Sequence, residues 1–384
     1  MSDADGGARA VRGARTPGAG ALLEAEHLEV HFPIKSGLLV DRKIGEVHAV
    51  SDVTFALGEG ETLGIVGESG CGKTTLIRAL MRLVDPTGGV LRFRGEDITA
   101  AKRRQLAPVR KQMQMVFQDP QASLNPRKRV GQIIATPLRL VGVAQDEVQR
   151  RSRELLARVG LNPEHLNRFP HEFSGGQRQR IGVARALAVN PRLIMLDEPV
   201  SALDVSIQAQ VINLLEELQE ELGLSYVFVA HDLSVVRHVS DRIAVMYLGK
   251  LVELAPAQEL YDKPIHPYTR ALLSAIPIPD PRQNRARERA VVQGEPPNPI
   301  SPPPGCRFHT RCPRATEVCR TVEPQLTEYA HGHLAACHHP LSLSDAEIAA
   351  ASRSPASPLS AGSERPDVRD GTLDAQSAAL PSRG

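Results

Sequence analysis

The chain has 384 residues, which is enough for about two to three domains of ordinary size. Hydrophobic residues make up 41% of it and charged residues 23%, close to the usual proportions of globular proteins, which excludes a fibrous chain. A formal net charge of +2, 3% aromatic residues and no Trp provide neither a strong positive field nor many stacking platforms for nucleic acid. We therefore expect no nucleic-acid partner.

Apolar runs are short throughout the chain. The longest, such as residues 243–248, fall far below the roughly 18 residues of a membrane-spanning helix. The first 20 residues contain no apolar stretch typical of a secretory signal, so we expect a cytoplasmic chain. Residues 1–21 and 341–384 are rich in small and polar residues without hydrophobic periodicity, and both are predicted to be disordered tails.

Between the tails, β-branched runs alternate with longer amphipathic stretches, a pattern typical of an α/β domain with a largely parallel sheet. The predicted strands are, in chain order, 62–66, 114–117, 193–196, 226–230 and 243–247. The predicted helices are 73–83, 177–188, 205–222 and 233–239. Residues 130–168 are predicted to be mostly helical, which indicates a helical insertion into the sheet, and the proline-rich residues 277–304 indicate a linker.

The first predicted strand and helix are joined by the glycine-rich segment GESGCGKTT. Glycines allow successive backbone N–H groups to point at phosphate oxygens, and the start of the following helix favours an anion. In such a P-loop, Lys73 would reach the β- and γ-phosphates and Thr74 would bind Mg²⁺. The candidate nucleotide-binding residues here are Gly67, Glu68, Ser69, Gly70, Cys71, Gly72, Lys73, Thr74 and Thr75.

Polar side chains follow three of the predicted strands. Asp197 and Glu198 come after the apolar strand 193–196, and ligands bind at such strand ends in parallel sheets. Asp197 would hold Mg²⁺ directly or through water, and Glu198 would act as general base toward an attacking water. Gln118 and His231 follow two other strands and could approach the γ-phosphate, so the candidate catalytic residues are Glu198, His231 and Gln118.

A second possible anion site begins the predicted helix 177–188. Residues 174–177, with the sequence SGGQ, precede it, and Ser174 is a suitable N-cap. The P-loop already accounts for one nucleotide. The second helix start is therefore either an ordinary capped helix or a contact for a nucleotide held elsewhere.

In order and spacing, residues 22–256 resemble the ABC ATPases. GESGCGKT is similar to the Walker A motif, RLIMLDEP to Walker B, and FSGGQ to the family signature. The resemblance implies an α/β P-loop NTPase (RecA-like) core with a helical subdomain and a small antiparallel β part. It also implies that Gln118 joins Thr74 and Asp197 at Mg²⁺, and that His231 is the switch histidine.

In the ABC ATPases, two ATP molecules lie between the Walker motifs of one subunit and the signature of its partner. By resemblance, the residues that contact the partner's ATP are Ser174, Gly175, Gly176, Gln177 and the D-loop residue Asp204. Two positions depart from the family pattern. Phe173 replaces the usual Leu, and the adenine-stacking position falls near Ile44, with Phe32 as the alternative.

Three further runs resemble the oligopeptide and dipeptide importer branch, namely residues 117–126, 266–277 and 302–312. Nickel importers share much of this pattern, so both cargoes stay open. The resemblance implies a second ABC ATPase subunit, two integral-membrane permease subunits and an extracytoplasmic substrate-binding protein, with this chain at the inner face of the membrane. It divides the chain into an ATPase domain at 22–260, with a helical subdomain at about 120–176, and a C-terminal segment at 261–340.

The C-terminal segment carries four cysteines: Cys306, Cys312, Cys319 and Cys337. Four thiolates suit a tetrahedral Zn²⁺ or a [4Fe–4S] cluster, and the importer resemblance favours the cluster. Reduced core cysteines are the third interpretation. Histidines that could replace a ligand are His309, His331, His333, His338 and His339.

Two other classes of protein are alternatives. A soluble ABC ATPase acting on nucleic acid or ribosomes usually has two cassettes or long coiled coils, and this chain has one cassette. A P-loop kinase or GTPase would have no use for FSGGQ.

Overall fold

The computed structural model describes residues 20–36, 42–276, 294–344 and 348. Most of each predicted tail, namely residues 1–19, 345–347 and 349–384, lies outside these residues, as do residues 277–293 of the predicted linker. The strands are β1 (Leu23–Ser36), β2 (Arg42–Leu57), β3 (Thr62–Val66), β4 (Gly88–Phe93), β5 (Glu96–Asp97), β6 (Met113–Val116), β7 (Leu193–Asp197), β8 (Ser225–Val229), β9 (Arg242–Tyr247), β10 (Lys250–Pro256), β11 (Thr327–Ala330) and β12 (His333–Ala335). The helices are α1 (Lys73–Leu80), α2 (Leu106–Gln112), α3 (Pro120–Ser123), α4 (Val130–Leu140), α5 (Gln145–Arg158), α6 (Gly175–Leu187), α7 (Val205–Leu222), α8 (Leu233–Val239), α9 (Ala257–Asp262), α10 (Pro267–Ala275) and α11 (Glu317–Thr321).

The larger sheet has the order β11-β12-β10-β9-β3-β8-β7-β6. Strands β9, β3, β8, β7 and β6 run parallel, and every residue of β3, β7 and β8 is buried. Burial on both faces explains why these strands are continuous apolar runs in the sequence. The five predicted strands are confirmed, each within one residue at either end.

The smaller sheet is antiparallel, in the order β2-β1-β4-β5. Its long β1–β2 hairpin pairs Leu23 with Leu57 at one end and Ser36 with Arg42 at the other. Apolar residues of this sheet share one core with α1, including Phe55 and Leu76, both fully buried. The smaller sheet therefore packs against the helix that follows the P-loop.

A helical region follows β6, and it confirms the helical insertion predicted at 130–168. It contains α4, α5 and a 3-10 turn at Pro163–Asn167, and it packs on α6 through a common core. Phe173 is 4% exposed in this core, with its ring 5.6 Å from that of His165 in an edge-on arrangement. The change from Leu to Phe is thus a packing change.

The C-terminal segment adds β11 and β12 to the larger sheet, next to β10. Strand β10 pairs antiparallel with β9, and β12 pairs with β10. The buried carboxylate of Glu253 on β10 accepts hydrogen bonds from the N–H groups of Ile265 and His266 and lies 2.7 Å from Nε2 of His333. One side chain thus joins β10, the start of α10 and β12. Among the described residues, no helix has the length and apolar character needed to cross a membrane.

Candidate functional site

The P-loop connects β3 to α1 and lies against two other backbone segments. Gly67 and Gly72 have positive φ angles of 155° and 109°. A Cβ on Gly67 would lie 2.1 Å from the carbonyl oxygen of Met246, and one on Gly72 would lie 2.0 Å from that of Ala49. No other residue fits at either position, because the obstacle is backbone. The glycines are thus required by this close approach as well as by the turn itself.

Lys73 lies at the centre of the loop and is buried. Its Nζ donates to the carbonyl oxygens of Gly67 at 2.7 Å and Glu68 at 2.9 Å. Ser69 and Gly70, at the top of the loop, are exposed. The ammonium group is therefore held by weak backbone acceptors, and a charged phosphate oxygen would be a stronger partner.

Thr74 and Asp197 meet between α1 and the end of β7. The Thr74 hydroxyl donates to Oδ1 of Asp197 at 3.1 Å. Asp197 is 2% exposed, and this burial raises the pKa of its carboxyl, against the opposing effect of the Thr74 hydrogen bond. A hydroxyl and a poorly solvated carboxylate are hard oxygen ligands, so the pair fits Mg²⁺.

Glu198 brings the remaining strand-end side chains together. Its Oε2 accepts a hydrogen bond from Nε2 of Gln118 at 2.8 Å and lies 3.7 Å from Nδ1 of His231. The backbone of Glu198 has φ = 45°, a left-handed conformation unusual for this residue, and its N–H donates to the carbonyl oxygen of Val229 at 3.0 Å. The carboxyl ends of β6, β7 and β8 thus place three polar side chains at one edge of the sheet.

The SGGQ turn forms a complete capping box at the start of α6. The Ser174 hydroxyl accepts from the N–H of Gln177 at 3.3 Å, and the Gln177 side chain accepts from the N–H of Ser174 at 3.0 Å. Both hydrogen bonds join residues of the turn itself. Ser174 and Gly175 are exposed, whereas Gly176 is buried, and a Cβ there would lie 2.3 Å from Cγ2 of Ile207 on α7.

The start of α7 is exposed as well. Asp204 is its N-cap residue, but its carboxylate accepts no hydrogen bond from the N–H groups of the helix start, and the neighbouring Val205 is 82% exposed. A carboxylate and a large apolar side chain therefore stand together on the surface near the SGGQ turn, which α7 contacts through Ile207.

Comparison with known proteins assigns the chain to a family. The ABC transporter family profile matches residues 50–201, and the profile described as "Oligopeptide/dipeptide transporter, C-terminal region" matches residues 252–319. The oligopeptide transport ATP-binding protein AppF of Bacillus subtilis is 57% identical over 319 residues, covering 83% of this chain and 97% of AppF. The chain belongs to the ATP-binding subunits of oligopeptide and dipeptide ABC transporters.

Other comparisons agree with this family. The oligopeptide transport ATP-binding protein OppF of Escherichia coli is 52% identical over 84% of this chain and 97% of its own length. A solved dimeric structure of the ATP-binding cassette MJ0796, in a post-hydrolysis state with ADP and Pi, matches 61% of this chain and 98% of its own, at 28% identity and a TM-score of 0.54. The chain is therefore an ABC ATPase with the P-loop NTPase fold, and the family uses ATP and Mg²⁺.

Two side chains of this ABC ATPase contact the P-loop although sequence reasoning did not place them there. The hydroxyl oxygen of Tyr268, on α10, accepts from the N–H of Glu68 at 2.9 Å. Nη1 of Arg311 donates to both carboxylate oxygens of Glu68, at 2.8 and 3.1 Å. Both belong to runs that resemble the importer branch, but neither run carries a local signal that links it to a loop some 200 residues earlier.

The predicted iron–sulfur or zinc site is not supported. The four thiols of the C-terminal segment lie close enough to influence one another electrostatically. Burial raises the pKa of Cys306 to about 11 and that of Cys337 to about 12, so the neutral thiols are favoured. Within the described residues, no group of three or more His, Cys, Asp or Glu side chains is arranged to hold a metal ion.

Four of the five nearby histidines of this ABC ATPase contact other groups. His309 contacts the Cys306 carbonyl oxygen at 2.9 Å, His338 contacts that of Val322 at 2.9 Å, and His339 contacts the Thr316 hydroxyl at 2.7 Å. His333 is paired with Glu253. Reduced cysteines in a packed segment are the interpretation that agrees with these contacts.

The two candidates for adenine stacking both stand on the β1–β2 hairpin. Ile44 on β2 is 64% exposed, and Phe32 on β1, opposite Val47, is 41% exposed. Both side chains are open to a flat ligand. The adenine contact at one of them stays a prediction.

Proposed function

We propose that this chain binds and hydrolyses ATP to drive the import of di- and oligopeptides, as one half of a nucleotide-sandwich dimer. The proposal is carried by the convergence of Gln118, Glu198 and His231 beside the Thr74–Asp197 pair. The peptide cargo is inferred from the relatives, which are oligopeptide transport proteins, and from the match to the oligopeptide/dipeptide transporter C-terminal profile.

The P-loop N–H groups of residues 67–75 would cradle the phosphates of ATP, with Cys71 and Thr75 contributing backbone donors. Lys73 would exchange its bonds to the Gly67 and Glu68 carbonyls for β- and γ-phosphate oxygens. Mg²⁺ would be held by Thr74, Asp197 and Gln118, and when bound it neutralises part of the phosphate charge.

Glu198 would activate the water. Its carboxylate takes a proton from a water molecule while the water oxygen bonds to the γ-phosphorus and the bond from that phosphorus to the β–γ bridging oxygen breaks. ADP and phosphate are released. Gln118 donates to this carboxylate and His231 lies 3.7 Å from it, so both would orient Glu198 and reach the γ-phosphate side of the site.

The signature turn acts on the partner's nucleotide. Ser174, Gly175, Gly176 and Gln177 form a capped helix start, in which Ser174 and Gly175 are exposed and the capping hydrogen bonds do not involve the P-loop of the same chain. Asp204, beside the exposed Val205, extends this surface. An exposed helix N-terminus and an exposed apolar side chain are features that a closed dimer would cover.

Closure of the dimer would switch two integral-membrane permease subunits between inward- and outward-facing states, with an extracytoplasmic binding protein delivering the peptide. The second ATPase is a paralogue or a copy of this chain, and the chain works at the inner face of the membrane. We assign residues 22–260 to the ATPase domain, with a helical subdomain at about 120–176, and residues 261–340 to the C-terminal transporter segment.

Reconstitution tests this function. The chain, its partner ATPase and its permeases are placed in lipid vesicles with the binding protein, and ATP hydrolysis is measured with dipeptides, longer peptides or Ni²⁺. Stimulation by peptides, and its loss in Lys73→Ala, is the expected result. Stimulation by Ni²⁺ alone would contradict the peptide assignment, and undiminished hydrolysis by Lys73→Ala would contradict the ATP site.

A further inference from the structure

The phosphate-binding loop of this chain contains a carboxylate. Glu68 lies directly after Gly67, and its side chain is about a quarter exposed. A triphosphate bound at the P-loop carries several negative charges, and a neighbouring carboxylate repels them. The loop therefore binds ATP well only where this charge is balanced.

Arg311 provides the balancing charge from the C-terminal segment. Its Nη1 lies 2.8 and 3.1 Å from the two carboxylate oxygens of Glu68, and its side chain is only 8% exposed. Because the Arg311 side of this pair is shielded from water, salt screens the pair less than it would a fully exposed one. The chain thus brings a cation to the edge of the phosphate site from 243 residues away.

The position of Arg311 is fixed by further contacts. Its Nε donates to the carbonyl oxygen of Gly294 at 3.1 Å, and Nη1 lies 3.4 Å from the hydroxyl of Tyr247. Tyr247 packs edge-on against Tyr268 and Phe308, at ring separations of 4.7 and 5.2 Å. Since Tyr268 also accepts from the Glu68 N–H, one aromatic cluster anchors both partners of the ion pair.

We propose that Arg311 is a positioning residue for ATP binding, which neutralises and orients Glu68 of the P-loop without contacting the phosphates itself. The C-terminal segment is then part of the nucleotide site of its own chain. The inference rests on the assignment of the P-loop as the ATP site.

If Arg311 compensates the charge of Glu68, replacing the one residue or the other should change the affinity for ATP in opposite directions. Arg311→Met leaves the Glu68 carboxylate unpaired beside the phosphates, so we expect about tenfold weaker ATP binding. Glu68→Gln removes the repulsion and leaves Arg311 to attract the phosphates, so we expect ATP binding several-fold tighter. The double variant should recover most of the affinity lost in Arg311→Met. A role in packing alone would weaken binding in both single variants.

The test is calorimetric titration of the full chain with Mg-ATP, with unfolding midpoints recorded to show that each variant is folded. Arg311→Lys should restore part of the affinity, and Arg314→Met, which removes an exposed arginine from the same segment, should leave it unchanged. In the reconstituted transporter, Arg311→Met should raise KM by a similar factor with kcat within about twofold of the wild type.

The proposal is overturned if Arg311→Met binds Mg-ATP as the wild type does, or if Glu68→Gln and the double variant bind as weakly as Arg311→Met. The Lys73→Ala variant distinguishes a wrong role for Arg311 from a wrong assignment of the ATP site. Retained Mg-ATP binding by Lys73→Ala would overturn the site assignment, whatever Arg311→Met does.

Discussion

Glu198 combines a strained backbone with two polar neighbours. Its φ of 45° is costly for a residue other than glycine, and the structure holds it through the N–H bond to Val229 and a bond from the Ser201 hydroxyl to its carbonyl oxygen at 3.1 Å. This conformation aims the carboxylate at Gln118 and His231. Backbone strain thus accompanies the side chain that the mechanism assigns to proton transfer.

Replacement of Glu198 by Gln should separate binding from hydrolysis. The amide keeps the shape of the side chain but cannot take the proton, so we expect hydrolysis to fall by about 10²- to 10⁴-fold with Mg-ATP binding retained. Phosphate release and equilibrium binding measure the two quantities. Glu154→Gln, at an exposed position on α5, is the matched control. Hydrolysis at the wild-type rate in Glu198→Gln would show that another group is the base.

Helix α6 depends on a glycine for its distance from α7. A Cβ on Gly176 would lie 2.3 Å from Cγ2 of Ile207, so Gly176→Ala should push the helices apart. We expect a loss of about 1–3 kcal/mol in the free energy of unfolding, although alanine favours a helix more than glycine does. Adding Ile207→Ala should recover part of the loss in urea unfolding. If Gly176→Ala is as stable as the wild type, the two helices can move apart without lowering the free energy of unfolding, and the prediction is wrong.

The first turn of α10 carries a buried titratable group. Nδ1 of His266 accepts from the N–H of Tyr268 at 3.0 Å, which caps the helix. Burial lowers the pKa of His266 from 6.5 to about 4, against the opposing charge of Glu253. The neutral ring therefore stabilises the fold fully above pH 6.5, and this contribution is lost as the pH falls toward 4.

His266→Asn should keep the cap without the titration, because Asn is also a good N-cap residue. We expect the wild type to lose about 3 kcal/mol more than the variant between pH 6.5 and 4, measured as free energy of unfolding in urea. His171→Asn, at an exposed histidine, should follow the wild type. If the wild type and His266→Asn lose the same free energy of unfolding, His266 is not the source of the pH dependence.

The elements that were best predicted from the sequence are those with a strong local hydrophobic pattern. The parallel strands are continuous apolar runs because both of their faces are buried, and α7 and α8 have the predicted bounds. The β1–β2 hairpin was not predicted from its residues, because histidines and charged side chains interrupt both strands. Its place was implied only by the family resemblance.

Contacts between distant parts of the chain produce no local pattern in the sequence. The convergence of Gln118, Glu198 and His231 could be predicted because parallel strands end at one edge. The Arg311–Glu68 pair could not, since neither periodicity nor spacing relates two residues 243 positions apart. The cysteines show the converse case, because four residues of a suitable type do not form a metal-holding group among the described residues.

At the scale of the whole molecule, the proposed function gives one chain two unlike halves of a site. We propose that the P-loop, Asp197 and Glu198 serve one nucleotide, whereas the hydrogen bonds of the SGGQ turn join residues of the turn itself and leave Ser174 and Gly175 exposed. The C-terminal segment is joined to the sheet through Glu253, and we propose that it supports the first half through Arg311. A second chain is therefore required to complete each proposed site.

The most direct test is the mass of the species formed by Glu198→Gln with Mg-ATP, measured by size-exclusion chromatography with light scattering, alone and with the partner ATPase. We predict a particle of two ATPase chains, which for self-pairing is twice the 41.6 kDa of this chain. Adding Ser174→Arg should leave single chains that still bind ATP. Single chains from Glu198→Gln even with the partner present, or unimpaired pairing with Ser174→Arg, would contradict the shared site.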